Sequence, residues 1–268
     1  MKLAYRTVWI SDVHLGTRGC KAEFLRDFLK HVDCECLYLV GDVIDLWKLK
    51  SGWHWPPLHS EIVRMVMDKA QTGTRVIYVP GNHDEFFRDY AGSLFAGIEV
   101  QERAIHQMAD GRRFLVLHGD EFDGVVCSST WLTMLGSGAY DFLLVLNRLF
   151  NHFRRRLGFP YWSLSVYLKH KVKNAVNFIN DFEKALVHAA RNAEVDGIVC
   201  GHIHHAAISE MDGLVYSNCG DWVESCTALV EDFQGGLAIV RWAEESAYLL
   251  TESEFEGSPD KRRLAAAN

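Results

Sequence analysis

Five short segments of the sequence combine histidine, carboxylate and amide side chains, the groups that bind divalent metal ions in proteins. Each segment begins with an apolar run: "WISDVHLG", "YLVGDVIDLW", "YVPGNHDEFF", "FLVLHGDEFD" and "IVCGHIHHA". The candidate ligands in these segments are Asp12, His14, Asp42, Asn82, His118, His202 and His204. A set of this kind, which contains no thiolate, suits two divalent ions of the manganese, iron or zinc type.

Taken singly, each segment also has an ordinary structural explanation. Pro80-Gly81-Asn82 is common turn chemistry, and a single buried histidine is more often hydrogen-bonded than bound to a metal. The five segments, however, occur in order, and each stands where a strand is expected to end. Because burying so many ionisable groups without a cation would be costly, the whole pattern predicts a binuclear metal site.

The elements that must position these side chains alternate between strands and helices. The strand-like runs are Tyr5–Ser11, "CLYLV" from Cys36 and "RVIYV" from Arg75, and the stretch His59–Ala70 has the spacing of an amphipathic helix. Such alternation predicts parallel strands in a covered sheet. The ends of these strands lie side by side, so ligands that are distant in sequence can meet at one edge.

After Ile98 the pattern changes to short strands separated by turns, at Asp110-Gly111, Asp212-Gly213 and Gly235-Gly236. Between the last two metal-binding segments, apolar residues recur with the helical period of about 3.6. We therefore expect a helical cap at 128–192, inserted in a domain that spans 1–251. The polar residues at 252–268 predict a flexible C-terminal tail.

The composition describes an acidic globular protein. The 268 residues are 49% hydrophobic, with a formal net charge of -7 and a pI of about 6.0. This charge does not favour nonspecific binding to nucleic acid, and no nucleic-acid partner is expected. The N-terminal sequence does not resemble a secretory signal and no apolar run has the length of a membrane span, so we predict a cytoplasmic protein. The seven cysteines lack a C-x-x-C spacing and are interpreted as free thiols.

Together, the five segments resemble the motif blocks of the calcineurin-like metallophosphoesterases, over the stretch from Asp12 to His204. The resemblance implies an α/β fold, a four-layer α-β-β-α sandwich of two mixed sheets with the metals at the strand ends. It also implies how the ligands divide between the ions. Asp12, His14 and His204 would hold one ion, Asn82, His118 and His202 would hold the other, and Asp42 would bridge them.

The same resemblance leaves His83 outside the metal ligands and makes it a catalytic residue. Two neighbouring divalent ions can activate a water and bind the phosphoryl oxygens, while His83 stabilises charge or protonates the leaving oxygen. The adjacent Asp84 is expected to support His83, since a nearby carboxylate raises the pKa of an imidazole.

The sequence indicates the type of reaction more precisely than it indicates the substrate. The cap sequence sets a continuous apolar face beside basic residues, Arg148, Arg154, Arg155, Arg156, Lys169, Lys171 and Lys173. This pattern suits an anionic lipid or membrane surface, and it equally suits an ordinary helical pair with solvated basic residues.

A more specific resemblance favours the lipid interpretation. The helical insertion, "GDVIDLW" and "SNCGDWVES" are similar to the UDP-2,3-diacylglucosamine pyrophosphatases of lipid A biosynthesis. That branch implies Mn²⁺, peripheral binding to the inner face of the cell membrane, and cleavage of an acylated UDP-sugar to UMP and an acylated sugar 1-phosphate. It also implies substrate contacts by Asn82, Asp123 and Lys173.

One departure keeps other substrates open. The established pyrophosphatases commonly carry Arg at the position of His83, which is the general superfamily residue. A phosphodiesterase or phosphatase acting on a soluble nucleotide or nucleotide sugar is therefore the alternative. A noncatalytic scaffold on the same fold is disfavoured because every ligand position is filled. The sequence leaves the oligomeric state open.

Overall fold

The computed structural model describes residues 2–123 and 164–245, with side chains described for 2–123 and 178–245. The strands of this part are β1 (Leu3–Ile10), β2 (Val32–Val40), β3 (Arg75–Val79), β4 (Leu94–Phe95), β5 (Ile98–Val100), β6 (Ala104–Gln107), β7 (Arg113–Val116), β8 (Gly197–Cys200), β9 (Ala207–Met211), β10 (Leu214–Asn218), β11 (Thr227–Glu231) and β12 (Leu237–Arg241). The helices are α1 (Ala22–His31), α2 (Leu46–Ser51), α3 (Pro57–Gln71) and α4 (Leu164–Asn192), and short 3₁₀ helices cover Glu85–Tyr90 and Asp120–Phe122.

The strands form two mixed sheets, as predicted. The first has seven strands in the order β12-β11-β1-β2-β3-β5-β4, with β1, β2, β3 and β5 parallel. The second has five strands in the order β6-β7-β8-β10-β9, with β7, β8 and β10 parallel. The predicted turns at Asp110-Gly111, Asp212-Gly213 and Gly235-Gly236 join antiparallel neighbours. This architecture confirms the α/β fold class.

Both faces of the seven-stranded sheet are buried, because successive residues of its central strands point in opposite directions. On β2, Leu37 and Leu39 pack in a core that includes residues of α1 and α3. Tyr38 and Val40 pack in a second core that includes residues of β7 and β8. The apolar run in the second half of β2, residues 37–40, follows from this burial on both sides, and polar residues follow it at the sheet edge.

The chain divides into two compact units, one made of 1–121 and 186–268 and the other of 122–185. Within the predicted cap, residues 164–192 form α4. The rest of the predicted cap, 128–163, and the predicted tail, 252–268, lie outside the described residues. The predicted domain boundaries therefore stay a prediction. Among the helices described, none combines the length and the apolar character needed to cross a membrane. The six cysteines in the described part are free thiols.

Candidate metal centre

The candidate ligands converge because each follows a parallel strand directly. Asp12 and His14 follow β1, Asp42 follows β2, and Asn82 follows β3, in the seven-stranded sheet. In the five-stranded sheet, His118 follows β7, and His202 and His204 follow β8.

Three groups of side chains in the described part have ligand atoms within 4.8 Å of one another. The groups are Asp12 with His14 and His204, Asp42 with His118 and His202, and His14 with Asp45 and His83. The first two groups reproduce most of the division that the family resemblance implies. The third contains Asp45, which the sequence analysis did not select.

The carboxylate of Asp42 lies at the middle of this arrangement. Its Oδ2 atom is 3.4 Å from Nε2 of His118, 3.8 Å from Nε2 of His14 and 3.9 Å from Nε2 of His83. Its Oδ1 atom accepts a hydrogen bond of 2.9 Å from the backbone N–H of His83. Three imidazoles thus direct the same ring nitrogen at one buried carboxylate oxygen, which is a suitable position for an oxygen shared between two cations.

Several buried polar atoms at this site have no hydrogen-bond partner in the described residues. They include Oδ1 of Asn82 and Nε2 of His118. The other ring nitrogen of His118, Nδ1, donates to the carbonyl oxygen of Val40 at 2.9 Å, so the lone pair on Nε2 is left to face the site. Buried polar atoms nearly always have a hydrogen-bond partner. Because these two atoms lack one among the described residues and each can give a lone pair to a metal ion, they fit metal binding.

Asp45 contacts two of the histidines at Nδ1, the ring nitrogen opposite the one that faces Asp42. Its Oδ2 atom lies 3.2 Å from Nδ1 of His14 and 3.1 Å from Nδ1 of His83, although the second contact lacks the alignment of a hydrogen bond. Its Oδ1 atom caps α2 by accepting from the backbone N–H of Lys48 at 2.8 Å. Carboxylates that bind the outer nitrogen of a metal-ligating histidine fix its orientation and tautomer.

The carboxylate of Asp84, which we expected to support His83, bonds mainly to backbone N–H groups. It accepts hydrogen bonds from the backbone N–H groups of Gly81, Asp42, Val43 and Ile44 and from the hydroxyl of Tyr78. This carboxylate therefore ties the loop after β3 to the loop after β2. Against the effect of burial, the charge of Asp84 raises the pKa of His83, as expected, but Asp45 and Asp42 contribute more and lie within ion-pair distance of that imidazole. The catalytic role of Asp84 stays a prediction.

Many of the candidate ligands have an unusual backbone conformation. Positive φ angles occur at Asp12 (51°), His14 (52°), Asp42 (53°), His202 (71°) and His204 (54°). Left-handed backbone is uncommon in residues other than glycine and costs on the order of 1 kcal/mol or more at each position. Such strain persists where surrounding contacts impose it, and it is concentrated here at the residues that would bind metal.

Glycines allow the ligand loops to approach one another. A Cβ atom placed on Gly81 would lie 2.6 Å from Cδ2 of His118, and one placed on Gly201 would lie 2.6 Å from Oδ2 of Asp12. Real Cβ contacts are not this short, so a side chain at either position would displace a candidate ligand.

The buried carboxylates of the site raise the pKa values of neighbouring histidines. Burial opposes the charged form of His118, yet Asp42 and Asp12 raise its pKa to about 10. Burial likewise opposes the charged form of His204, and Asp12 raises its pKa to about 9. The carboxylates thus attract positive charge strongly enough to overcome desolvation, which is the electrostatic condition that favours divalent cations.

The predicted substrate contacts are placed only in part. Asn82 stands between Gly81 and His83 in the loop after β3, and its Oδ1 atom is buried. Asp123 lies in an exposed turn after the 3₁₀ helix Asp120–Phe122, in the unit 122–185. Lys173 lies in α4, and its side chain is outside the described residues. The substrate-binding roles of these three residues stay predictions.

Comparison with known proteins identifies the family. The model of the calcineurin-like phosphoesterases matches residues 5–206, which include all the candidate ligands. The chain belongs to the calcineurin-like phosphoesterase family. Members of this family are metal-dependent phosphoesterases, and the clustered donor atoms give this calcineurin-like phosphoesterase the means to hold divalent ions.

Curated relatives of this chain carry the name UDP-2,3-diacylglucosamine hydrolase. This calcineurin-like phosphoesterase is 26% identical to the protein from Photorhabdus laumondii, over 81% of this chain and 90% of the relative. It is 27% identical to the protein from Pectobacterium carotovorum, over 77% of this chain and 85% of the relative. Among solved structures, an archaeal phosphodiesterase matches with a TM-score of 0.42 and 12% identity, covering 87% of this chain and 98% of that one.

Proposed function

We propose that this metallophosphoesterase hydrolyses the diphosphate bond of a UDP-2,3-diacylglucosamine-type substrate, giving UMP and an acylated sugar 1-phosphate. The convergence of three imidazole Nε2 atoms on Oδ2 of Asp42 carries the hydrolytic part of the proposal. The relatives of that name, which align over most of this chain, support the choice of substrate.

We assign the metal ligands from the two clusters together with the family resemblance. Asp12, His14 and His204 would hold one divalent ion, Asn82, His118 and His202 would hold the other, and Asp42 would serve both. The donors are imidazole, carboxylate and amide groups, for which Mn²⁺ is a suitable ion and Fe or Zn are alternatives.

Bound at these residues, two such ions would supply an activated water as the nucleophile and positive charge for the phosphoryl oxygens. His83 is the proposed acid that protonates the leaving oxygen. Burial opposes its protonated form, but Asp45 and Asp42 raise its pKa, which favours the proton-donating form that this role requires. Its ring also packs against Trp47, with ring centroids 4.3 Å apart, which limits its freedom to turn.

Asn82, Asp123 and Lys173 are the proposed substrate contacts. We also propose that the protein acts in the cytoplasm and binds peripherally to the inner face of the membrane, where an acylated substrate would reside. The basic residues of the cap sequence supply positive charge for an anionic surface.

A substrate comparison tests the proposal. Protein supplied with Mn²⁺ is assayed with UDP-2,3-diacylglucosamine, its deacylated form and a small chromogenic phosphodiester. We expect kcat/KM to be highest for the acylated compound, with UMP as a product. His83, which replaces the Arg common in established pyrophosphatases, favours a second candidate, hydrolysis of a soluble nucleotide or nucleotide sugar. Equal kcat/KM for the acylated and deacylated compounds would select that candidate.

A further inference from the structure

An apolar cavity of about 540 Å³ lies against the helix-covered face of the seven-stranded sheet. Its lining comes from α3, from the 3₁₀ helix Glu85–Tyr90 and from four strands. These strands, β2, β3, β5 and β4, are consecutive neighbours in the sheet. Since neighbouring strands are about 4.8 Å apart, the four strands that line this cavity, here called the slot, span roughly 15 Å.

The lining excludes a polar ligand along the length of the slot. Its polar side chains are Ser93 and the tyrosines Tyr78 and Tyr90, and the remaining lining side chains are aliphatic or aromatic. The hydroxyl of Tyr78 is already used, because it donates to Asp84. A ligand carrying hydrogen-bonding groups would lose its water contacts here without replacement. Ordered water has the same difficulty, because it needs several polar partners.

One end of the slot opens to solvent through exposed apolar side chains. Leu94 and Phe95 are 70% and 65% exposed, and Phe86 and Tyr90 beside them are about half exposed. Large apolar side chains clustered at the surface in this way commonly mark a binding site. An apolar chain can therefore enter from this edge of the sheet while its polar end stays in water.

The other end of the slot adjoins the ligand loops. Leu15 and Val43, which line it, directly follow His14 and Asp42 in the chain. Tyr78, also in the lining, is hydrogen-bonded to the carboxylate that ties these loops together. A molecule in the slot would thus lie close to the loops that carry the candidate ligands His14 and Asp42.

We propose that this slot binds a single alkyl chain. Its volume is within the roughly 300–1,000 Å³ typical of small-molecule sites, and its apolar lining, drawn from four neighbouring strands, matches an extended hydrocarbon. The alkyl chain can belong to the substrate or to a separate lipid. Its assignment to the substrate rests on the function proposed above. The hydrocarbon chemistry is the same for both sources.

Binding of octanoate, decanoate and dodecanoate to the Mn²⁺-loaded protein, measured by titration calorimetry, tests the site. Each added methylene should tighten binding about fourfold until the slot is filled. Val63→Phe on α3, which places a larger side chain in the slot, should weaken dodecanoate binding at least tenfold. Ser93→Trp, at an exposed position of the lining, should do the same without changing the buried core.

Met65→Phe is the matched control, because Met65 is partly buried on the same helix but does not line the slot. Its dodecanoate affinity should equal that of the wild type, and cooperative thermal unfolding checks the fold of all three variants. Affinity that does not change with chain length, or dodecanoate binding in Val63→Phe and Ser93→Trp as tight as in the wild type, would overturn the proposal.

Inhibition kinetics with dodecanoate distinguish the two sources of the alkyl chain. Competitive inhibition by dodecanoate against the acylated UDP-sugar, but not against its deacylated form, assigns the slot to the substrate. A change in kcat without a change in KM for either compound assigns it to a separate lipid. Failure to hydrolyse either UDP-sugar would remove the proposed function, whereas the calorimetric result for the alkyl chain would stand by itself.

Discussion

The Oδ2 atom of Asp45 lies 3.1 Å from Nδ1 of His83, so the carboxylate faces the far side of the imidazole proposed to act on the substrate. The same oxygen accepts from His14, a proposed metal ligand. Asp45 is therefore a positioning residue that links the proposed acid to the metal centre. Its second oxygen caps α2, which fixes the carboxylate in place.

Asp45→Asn separates the contact with the histidines from the capping of α2, because asparagine also caps helices but carries no charge. We expect kcat to fall on the order of 10- to 100-fold. Without the carboxylate the pKa of His83 falls, so the alkaline limb of the kcat–pH profile should move to lower pH. Asp45→Ala, which also loses the cap, should lower the melting temperature further. An unchanged alkaline limb in Asp45→Asn would show that Asp45 does not act through His83.

His83 and Asp42 should differ in how their loss affects metal content. His83→Ala should keep both ions and lose on the order of 10² to 10⁴ in turnover, since it removes proton transfer only. Asp42→Ala should bind less than one full pair of ions, because the shared carboxylate serves both. Elemental analysis of the two variants with matched activity assays makes the comparison. Two tightly held ions in Asp42→Ala would refute the ligand assignment, and metal loss in His83→Ala would make His83 a ligand.

The convergence of the candidate ligands could be predicted from the sequence because the apolar runs before Asp12, Asp42 and His118 end abruptly. Burial on both faces explains these runs, and the parallel order of the strands explains why their ends meet. The orientation of side chains within the loops could not be predicted in this way. Asp84 is next to His83 in sequence, yet its carboxylate faces backbone N–H groups.

Asp45 was missed because its role depends on a contact between two loops that are distant in sequence. It stands in the quoted segment "GDVIDLW", three residues before Lys48, where an aspartate is a common helix N-cap. That signal predicts one hydrogen bond of the carboxylate. It does not predict that the second oxygen reaches two imidazoles.

Gly81→Ala tests how closely the loops pack. The new Cβ would lie 2.6 Å from Cδ2 of His118, so this proposed ligand must move. We expect weaker metal binding, measured by titration with Mn²⁺, and a loss of activity that excess metal restores only in part. Gly52→Ala is the control, since Gly52 has an extended φ of 177° and no atom within 4 Å of the added Cβ. If both variants bind metal like the wild type, the space beside His118 is not limiting.

The buried carboxylate of Glu231 predicts a loss of stability in acid that is independent of the metal centre. Glu231 is fully buried and accepts hydrogen bonds from Arg6, Thr7, His106 and the backbone of Ala109. Burial acts to raise its pKa, but the hydrogen bonds, led by that of His106, lower the pKa from 4.5 to about 2.

Because the folded-state pKa is depressed, this contribution to stability is complete above about pH 4.5 and disappears as the pH falls toward 2. Glu231→Gln should lower the free energy of unfolding at neutral pH by about 2 kcal/mol, since it replaces hydrogen bonds to a charged group by neutral ones. It should also flatten the dependence of that free energy on pH between 4.5 and 2. Denaturant unfolding of the metal-free protein across this range measures both effects, with Glu23→Gln at an exposed site of α1 as the control. A pH dependence in Glu231→Gln as steep as that of the wild type would show that other carboxylates govern the acid transition.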